Sequence, residues 1–167
     1  MSRKKIFKGR LINVLTEEKT LPDGRKAYFE KIEHPGAALV LPFTAKKIVF
    51  IRQYRCVIRK YIWELPAGII SRGETPYACA KREVAEETGY KVRNLRRIGT
   101  IYTTPGFCNE KIYIFSADCF KKRAPRREKD EHIKVRLFSR TEVKGLFKKG
   151  KITDSKTIAA LAFAGII

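Results

Sequence analysis

Three glutamates, Glu83, Glu86 and Glu87, stand within five residues of a chain whose 37 Lys and Arg outnumber its 17 Asp and Glu, a formal net charge of +20. On a helix, Glu83 and Glu87 lie one turn apart, about 6 Å between side chains. At an effective dielectric near 20 they repel by roughly 3 kcal/mol. Arg82 and Lys81 can relieve part of that, but a solvated face would more cheaply alternate its signs. Taken alone, this helix face also fits an acidic solvated patch. Clustered carboxylates beside a glycine-bearing loop make an oxygen-donor site for a hard divalent cation. Such a cation turns the repulsion into ligation and gives pyrophosphate oxygens a place to land.

The surrounding pattern narrows this chemistry. Gly68, five residues, Glu74, seven residues, then Arg82-Glu83-Val84-Ala85-Glu86-Glu87-Thr88-Gly89-Tyr90 resembles the Nudix box, G-x5-E-x7-R-E-U-x-E-E-x-G-U, where U is a bulky aliphatic residue. Every fixed letter is present; Tyr90 at the last U is the single departure. The resemblance implies metal-dependent hydrolysis of a nucleoside diphosphate linked to another group, with Mg2+ or Mn2+ as cofactor. By position, Glu83 and Glu87 are the expected main metal ligands and Glu86 a further ligand or metal-shell partner. Arg82 is expected to hold the glutamates by ion pairing, Glu74 to support the loop, and Gly68 and Gly89 to permit its turns. Bound cations would neutralise phosphate oxygens and lower the pKa of a water, and electrostatic stabilisation would do most of the work at phosphorus.

Segments outside the box resemble the ADP-ribose pyrophosphatase branch of that family. They are RQYR at 52–55, WELPAG at 63–68, and Pro105 in TTPGFCNEKIYIF, fifteen residues past the box. A proline before glycine is also an ordinary turn. In that branch the Ala67 carbonyl is an expected metal ligand, and Arg55, with Arg52 beside it, an expected phosphate or ribose contact; without the resemblance Arg55 reads equally as a surface strand residue. Tyr28-Phe29 is the expected adenine platform, although core packing of at least one ring is the plainer reading. A carboxylate in a loop after the box is expected to take the proton of the attacking water. Glu131 is the candidate and Glu128 the fallback; each is otherwise a solvated loop acid. The resemblance also implies a homodimer in which N-terminal strands complete the partner's site.

The elements that must position these residues can be read locally. Strands are expected over Ile6–Leu15 and Lys26–Ile32, joined through the turn signal Pro22-Asp23-Gly24. Apolar runs at 38–44 and 47–54 follow, and YIWELPAG leads into the box. Thr75 can cap a helix, Pro76 suits its first position, and Gly89 supplies a stop. Strands are expected again over Leu95–Thr103, Lys111–Asp118 and Ile133–Phe138. Ser139-Arg140-Thr141-Glu142 matches a capping box opening a helix that ends near Gly150, and a last helix is expected from about Asp154 to Ala164. This order predicts an α/β (α+β) fold. With the resemblance it becomes a Nudix-type α/β/α sandwich with a mixed sheet and an N-terminal antiparallel hairpin region. Residues 1–36 form the expected dimer-forming strand region and 37–167 the hydrolase domain.

Global composition sets looser limits. With 167 residues, 44% hydrophobic and 32% charged, the chain reads as one globular domain rather than a disordered one. The basic excess predicts attraction to phosphates, without choosing between a small nucleotide and nucleic acid. It also fits a lysine-rich, thermostable surface. The four cysteines lack C-x-x-C spacing, so reduced thiols in a cytoplasmic protein are expected. No apolar h-region follows the basic N-terminus, and the tail IAALAFAGII is too short to span a bilayer, so no membrane partner is expected. Other nucleotide sugars, RNA 5′ ends, or a non-catalytic nucleotide- or nucleic-acid-binding module are the rival readings. KKRAPRREKDE at 121–131 reads as a solvated loop or as a basic lid over a phosphate-bearing ligand.

Overall fold

A computed structural model describes residues 3–125 and 132–167. Strands β1 (Arg3–Lys8), β2 (Asn13–Thr20) and β3 (Lys26–Glu33) form a three-stranded antiparallel sheet. The expected single strand over Ile6–Leu15 is in fact divided. Gly9 N–H donates to Ile12 O at 2.9 Å, a turn that folds β1 back on β2. The Pro22-Asp23-Gly24 signal does make a hairpin, with Gly24 at φ 86° and its N–H on Leu21 O. Leu15 is the one buried side chain among the described residues of this sheet.

The larger sheet contains β4 (Ala37–Thr44), β5 (Lys47–Arg55), β8 (Tyr90–Tyr102), β9 (Lys111–Lys122) and β10 (Ile133–Ser139), in the order β10-β5-β4-β9-β8. Two short strands, β6 (Lys60–Glu64) and β7 (Ala67–Ile69), pair with β5 and β4. The pairing of β4 with β9 is parallel and the rest antiparallel, so the sheet is mixed. Strand β8 begins at Tyr90 rather than Leu95, because bulges carry its irregular first half along β9.

Helix α1 (Pro76–Thr88) covers one face of this sheet, and α2 (Arg140–Lys148) and α3 (Ser155–Phe163) the other. Strand side chains alternate between faces, and the residues of β4 divide accordingly. Ala38 and Val40 pack with Cys79, Ala80 and Val84 of α1. Leu39 and Leu41 pack with Val143 of α2 and Leu161 of α3. A strand buried on both faces explains the unbroken apolar run at 37–43.

The helix ends form as their residues dictate. Thr75 Oγ1 accepts from Ala78 N–H at 3.2 Å, and Gly89 closes α1 at φ 78° with its N–H on Ala85 O. Ser139 and Glu142 complete a reciprocal capping box. The small sheet docks through the loop after β8. Ile32 N–H donates to Phe107 O at 2.7 Å, and His34 N–H to Asn109 Oδ1 at 2.8 Å. Among the described residues, no helix is long and apolar enough to cross a membrane.

Candidate active site

The box residues are carried by three adjoining pieces: β7, the turn at 70–75, and α1. Strand β7 crosses beside α1, so the backbone at Ala67 and Gly68 meets the helix face bearing Glu83 and Glu87. Ala67 N–H donates to Glu87 Oε2 at 3.1 Å. Gly68 lies so close to Glu83 that any Cβ there would overlap its carboxylate. Both carboxylates are withdrawn from solvent, Glu83 to 8% exposure and Glu87 to 2%, whereas the Glu86 side chain is 41% exposed.

Arg82 organises the acids. Its Nε and Nη2 donate to the two oxygens of Glu74 at 2.9 Å each, and Nη1 donates to Glu83 Oε1 and to Glu86 Oε2 at 3.0 Å. Nη2 also reaches Ile69 O at 3.1 Å. Only a guanidinium has the planar fork to serve this many acceptors. The Arg82 hydrogen bonds hold the Glu74 carboxyl down at about 2, assisted by Ser71 N–H. Glu74 in turn raises the pKa of Arg82. Burial pushes the Cys79 thiol, donating to Gly68 O and Ile69 O, up to about 12, so it is an inert packing group.

Beside this cluster opens a cavity of about 470 Å³, lined among others by Ala67, Gly68, Arg55, His34, Glu110 and Lys156. Glu64, fully buried, lies behind it. Arg55 grips both Glu64 oxygens at 2.6 Å. Lys156 Nζ bridges Glu64 Oε2 at 2.5 Å and Asp154 Oδ1 at 2.7 Å. Burial pushes the Glu64 carboxyl up, but Arg55 and Lys156 overcome this and hold it below the usual value. The Glu64 hydrogen bonds raise Arg55 further. Asp154 also caps α3 through Thr157 N–H at 3.0 Å, and so fixes Lys156 over the cavity.

A second cavity, of about 380 Å³, separates the small sheet from the loop after β8 and is lined by Phe29, Tyr102, Pro105 and Phe107, with Lys31 and Glu17. It brings together Phe29 and Pro105. Tyr28 is 75% exposed and lines neither cavity, because neighbours on a strand face opposite ways. Arg52 lines neither as well; its guanidinium sits over the Tyr61 ring at 5.2 Å and the Trp63 ring at 5.8 Å. Glu131 and Glu128 lie outside the described residues.

Among the described residues, no three His, Cys, Asp or Glu side chains converge on one point as a ready-made metal cage. The hydrogen bonds explain this, since Arg82 draws Glu83 and Glu86 to itself while Glu87 rests on Ala67 N–H. The donor set is nevertheless all hard oxygen, on buried carboxylates next to a backbone approach that only glycine permits, and this fits a hard divalent cation.

The NUDIX domain model matches residues 33–161. This chain belongs to the NUDIX family. The NUDIX chain is 34% identical over 166 residues to the ADP-ribose pyrophosphatase of Bacillus subtilis (strain 168), covering 98% of this chain and 90% of the relative. It is 35% identical over 161 residues to the methanol dehydrogenase activator of Bacillus methanolicus, covering 95% and 87%. It is 31% identical over 145 residues to the GDP-mannose pyrophosphatase of Citrobacter koseri (strain ATCC BAA-895 / CDC 4225-83 / SGSC4696), covering 80% and 75%. Its fold superposes on the crystal structure of an ADP compounds hydrolase with a TM-score of 0.83 at 19% identity, covering 98% of this chain and 90% of that one.

The α/β/α sandwich with a mixed sheet is therefore the NUDIX fold expected from the box. Sequence reading missed Lys156, Asp154, His34 and Glu110 as cavity residues, and Glu64 as the buried carboxylate behind them. Glu64 had a signal, a carboxylate inside the apolar WELPAG segment. Lys156 had none, because its partner lies 92 residues away.

Proposed function

We propose that this chain hydrolyses the pyrophosphate bond of a nucleoside diphosphate sugar, with ADP-ribose cut to AMP and ribose 5-phosphate as the leading reaction. The observation that carries this reading is the Glu83–Arg82–Glu74 cluster packed against Gly68 at the edge of a cavity bearing Arg55. The similarity to enzymes named for ADP-ribose and GDP-mannose supports the substrate class.

The residues that would hold the cofactor, Mg2+ or Mn2+, are Glu83, Glu86, Glu87 and the Ala67 carbonyl. Bound there, the cation would supply charge neutralisation at the phosphates and an acidified water. The chain's own groups do the rest. Arg82 keeps the acids gathered and holds Glu74 ionised. Arg55, oriented by Glu64 and Lys156, offers its outer guanidinium edge to phosphate or ribose oxygens. Phe29 and Pro105 give the base an apolar slot. Glu131, or Glu128 in its place, is the proposed proton acceptor.

The N-terminal region, residues 1–36, is the proposed dimer contact. Ile6, Phe7 and Leu11 are each about half exposed on it, an apolar set that a second copy would cover.

Product analysis tests the reading. Incubation with ADP-ribose should yield AMP and ribose 5-phosphate with magnesium, none without it, and far less with Glu87→Gln. Cleavage of GDP-mannose or capped RNA in place of ADP-ribose would keep the reaction type and reject the substrate.

A further inference from the structure

The positive charge of the chain is not spread evenly. Between residues 88 and 125 there are eight Lys or Arg, against Glu110 and Asp118 alone. Most lie on β8 and β9, the outer strands of the large sheet. Helix α3 covers the face opposite α1 only as far as Gly99, where a Cβ would come within 2.6 Å of the Phe163 ring. Beyond that point no described helix or strand covers the same face. Strand pairing puts Arg93 and Arg96 of β8 on it, opposite Asp118 and Ser116 of β9, with Phe120 next along β9.

Part of this face is a trough of about 320 Å³, lined by Phe43, Asn94, Arg96, Ser116, Ala117 and Asp118, with Arg93 and Phe120 on the strands beside it and Arg140 over the Phe43 ring at its edge. Its one carboxylate, Asp118, accepts from Asn94 Nδ2 at 2.8 Å rather than from an arginine. Arg96 Nε donates to neutral Ser116 Oγ at 3.1 Å. Among the described residues, no salt bridge involves Lys91, Arg93, Arg96 or Arg140. Two arginines instead lie over aromatic rings: Arg93 over Phe120 at 6.0 Å, and Arg140 over Phe43 at 5.7 Å.

Basic residues on an edge strand also guard against sheet-to-sheet pairing. That role needs charge at the edge and has no use for arginine-capped rings on the adjoining face. Cations that form no salt bridge among the described residues, interleaved with flat ring and guanidinium surfaces, are what a single-stranded nucleic acid requires: charge for its phosphates and platforms for its bases.

We propose that this trough binds single-stranded nucleic acid, separately from the nucleotide cavity. Arg93, Arg96 and Arg140 take the phosphates, and Phe120 and Phe43 receive bases. The site does not depend on the hydrolytic reading, and it is tested without metal.

The test is fluorescence anisotropy of a short labelled oligouridylate in EDTA across a salt series. The triple variant Arg93→Ser/Arg96→Ser/Arg140→Ser should weaken binding by about tenfold or more, and flatten the log–log salt dependence by about 2, roughly 0.7 for each phosphate no longer neutralised. Phe120→Leu, which leaves the charge alone, should weaken it by about fivefold or more. A control, Lys144→Ser/Lys148→Ser/Lys149→Ser on α2 and its C-cap, removes the same charge elsewhere and should have little effect. The far-ultraviolet circular dichroism spectrum and the urea midpoint should be unchanged in all three, which reports that they fold. Equal weakening by both triples would overturn the proposal, since net charge alone would then explain binding. So would an unchanged Phe120→Leu, or trough-dependent binding to anionic lipid vesicles without binding to RNA.

Discussion

The Glu83 carboxylate occupies the space that a side chain at Gly68 would fill. The first fixed glycine of the box is thus a steric requirement of a glutamate fifteen residues later, not of a left-handed turn. Gly68 is absent from the positive-φ glycines. Gly68→Ala should therefore fold but displace Glu83. We expect Mn2+ affinity to fall by about 10- to 100-fold, the usual cost of disturbing a ligand's support, as read by titration calorimetry. Unchanged affinity would detach Glu83 from the metal.

Glu87→Gln removes one charge while its oxygen can still accept from Ala67 N–H. Stability should change little. Turnover should fall by roughly 10²–10³, the scale of losing one preorganised electrostatic contact at the reacting centre. A saturating-metal assay checks this, and activity near wild type would exclude Glu87 from the metal site.

Arg82 makes the acid cluster tolerable, and pH should reveal it. In the metal-free protein Glu74 sits at about 2 against an ordinary 4.5. On acidification the unfolded chain takes up this proton first. The Glu74 contribution is therefore full above about pH 4.5 and is lost as pH falls towards 2. Arg82→Met should lower the urea midpoint at pH 7, where Glu74, Glu83 and Glu86 would repel. It should also shrink the drop in midpoint between pH 6 and pH 3. An undiminished drop would assign it to other groups.

Glu64 is fully buried between Arg55 and Lys156. Neutralising it strands Arg55 and leaves Lys156 with Asp154 alone, so Glu64→Gln should destabilise the fold by on the order of 3 kcal/mol, typical of a broken buried pair. Arg55→Met leaves Glu64 paired with Lys156 and should spare more of the stability while raising KM for a nucleotide sugar. Paired urea melts and steady-state kinetics separate the two. Equal stability losses would make Arg55 purely structural.

The exposed apolar residues of β1 give a prediction about assembly. Ile6→Lys with Phe7→Lys should convert a dimer to a monomer in sedimentation velocity. Activity should fall with it if the N-terminal strands complete a partner's site. A wild-type monomer would dismiss the idea outright.

Sequence by itself determined what depends on neighbours along the chain. The box spacing put Glu83 and Glu87 one turn apart, and Thr75, Pro76 and Gly89 bounded the helix that carries them. Ser139 with Glu142, and Asp154, marked the starts of α2 and α3. All of these rest on contacts a few residues long, which local residue types encode directly. Tertiary structure alone decided the rest. It broke the first expected strand at Gly9, turned Tyr28 away from the cavity that Phe29 lines, and stacked Arg52 on Tyr61 and Trp63. It also joined Glu64 to Lys156, and left one face of β8 and β9 beyond Gly99 with no described helix or strand over it. Those outcomes follow from which strands pair, in what register, and which face each helix covers. A side chain's partner across a sheet is fixed only when the sheet closes.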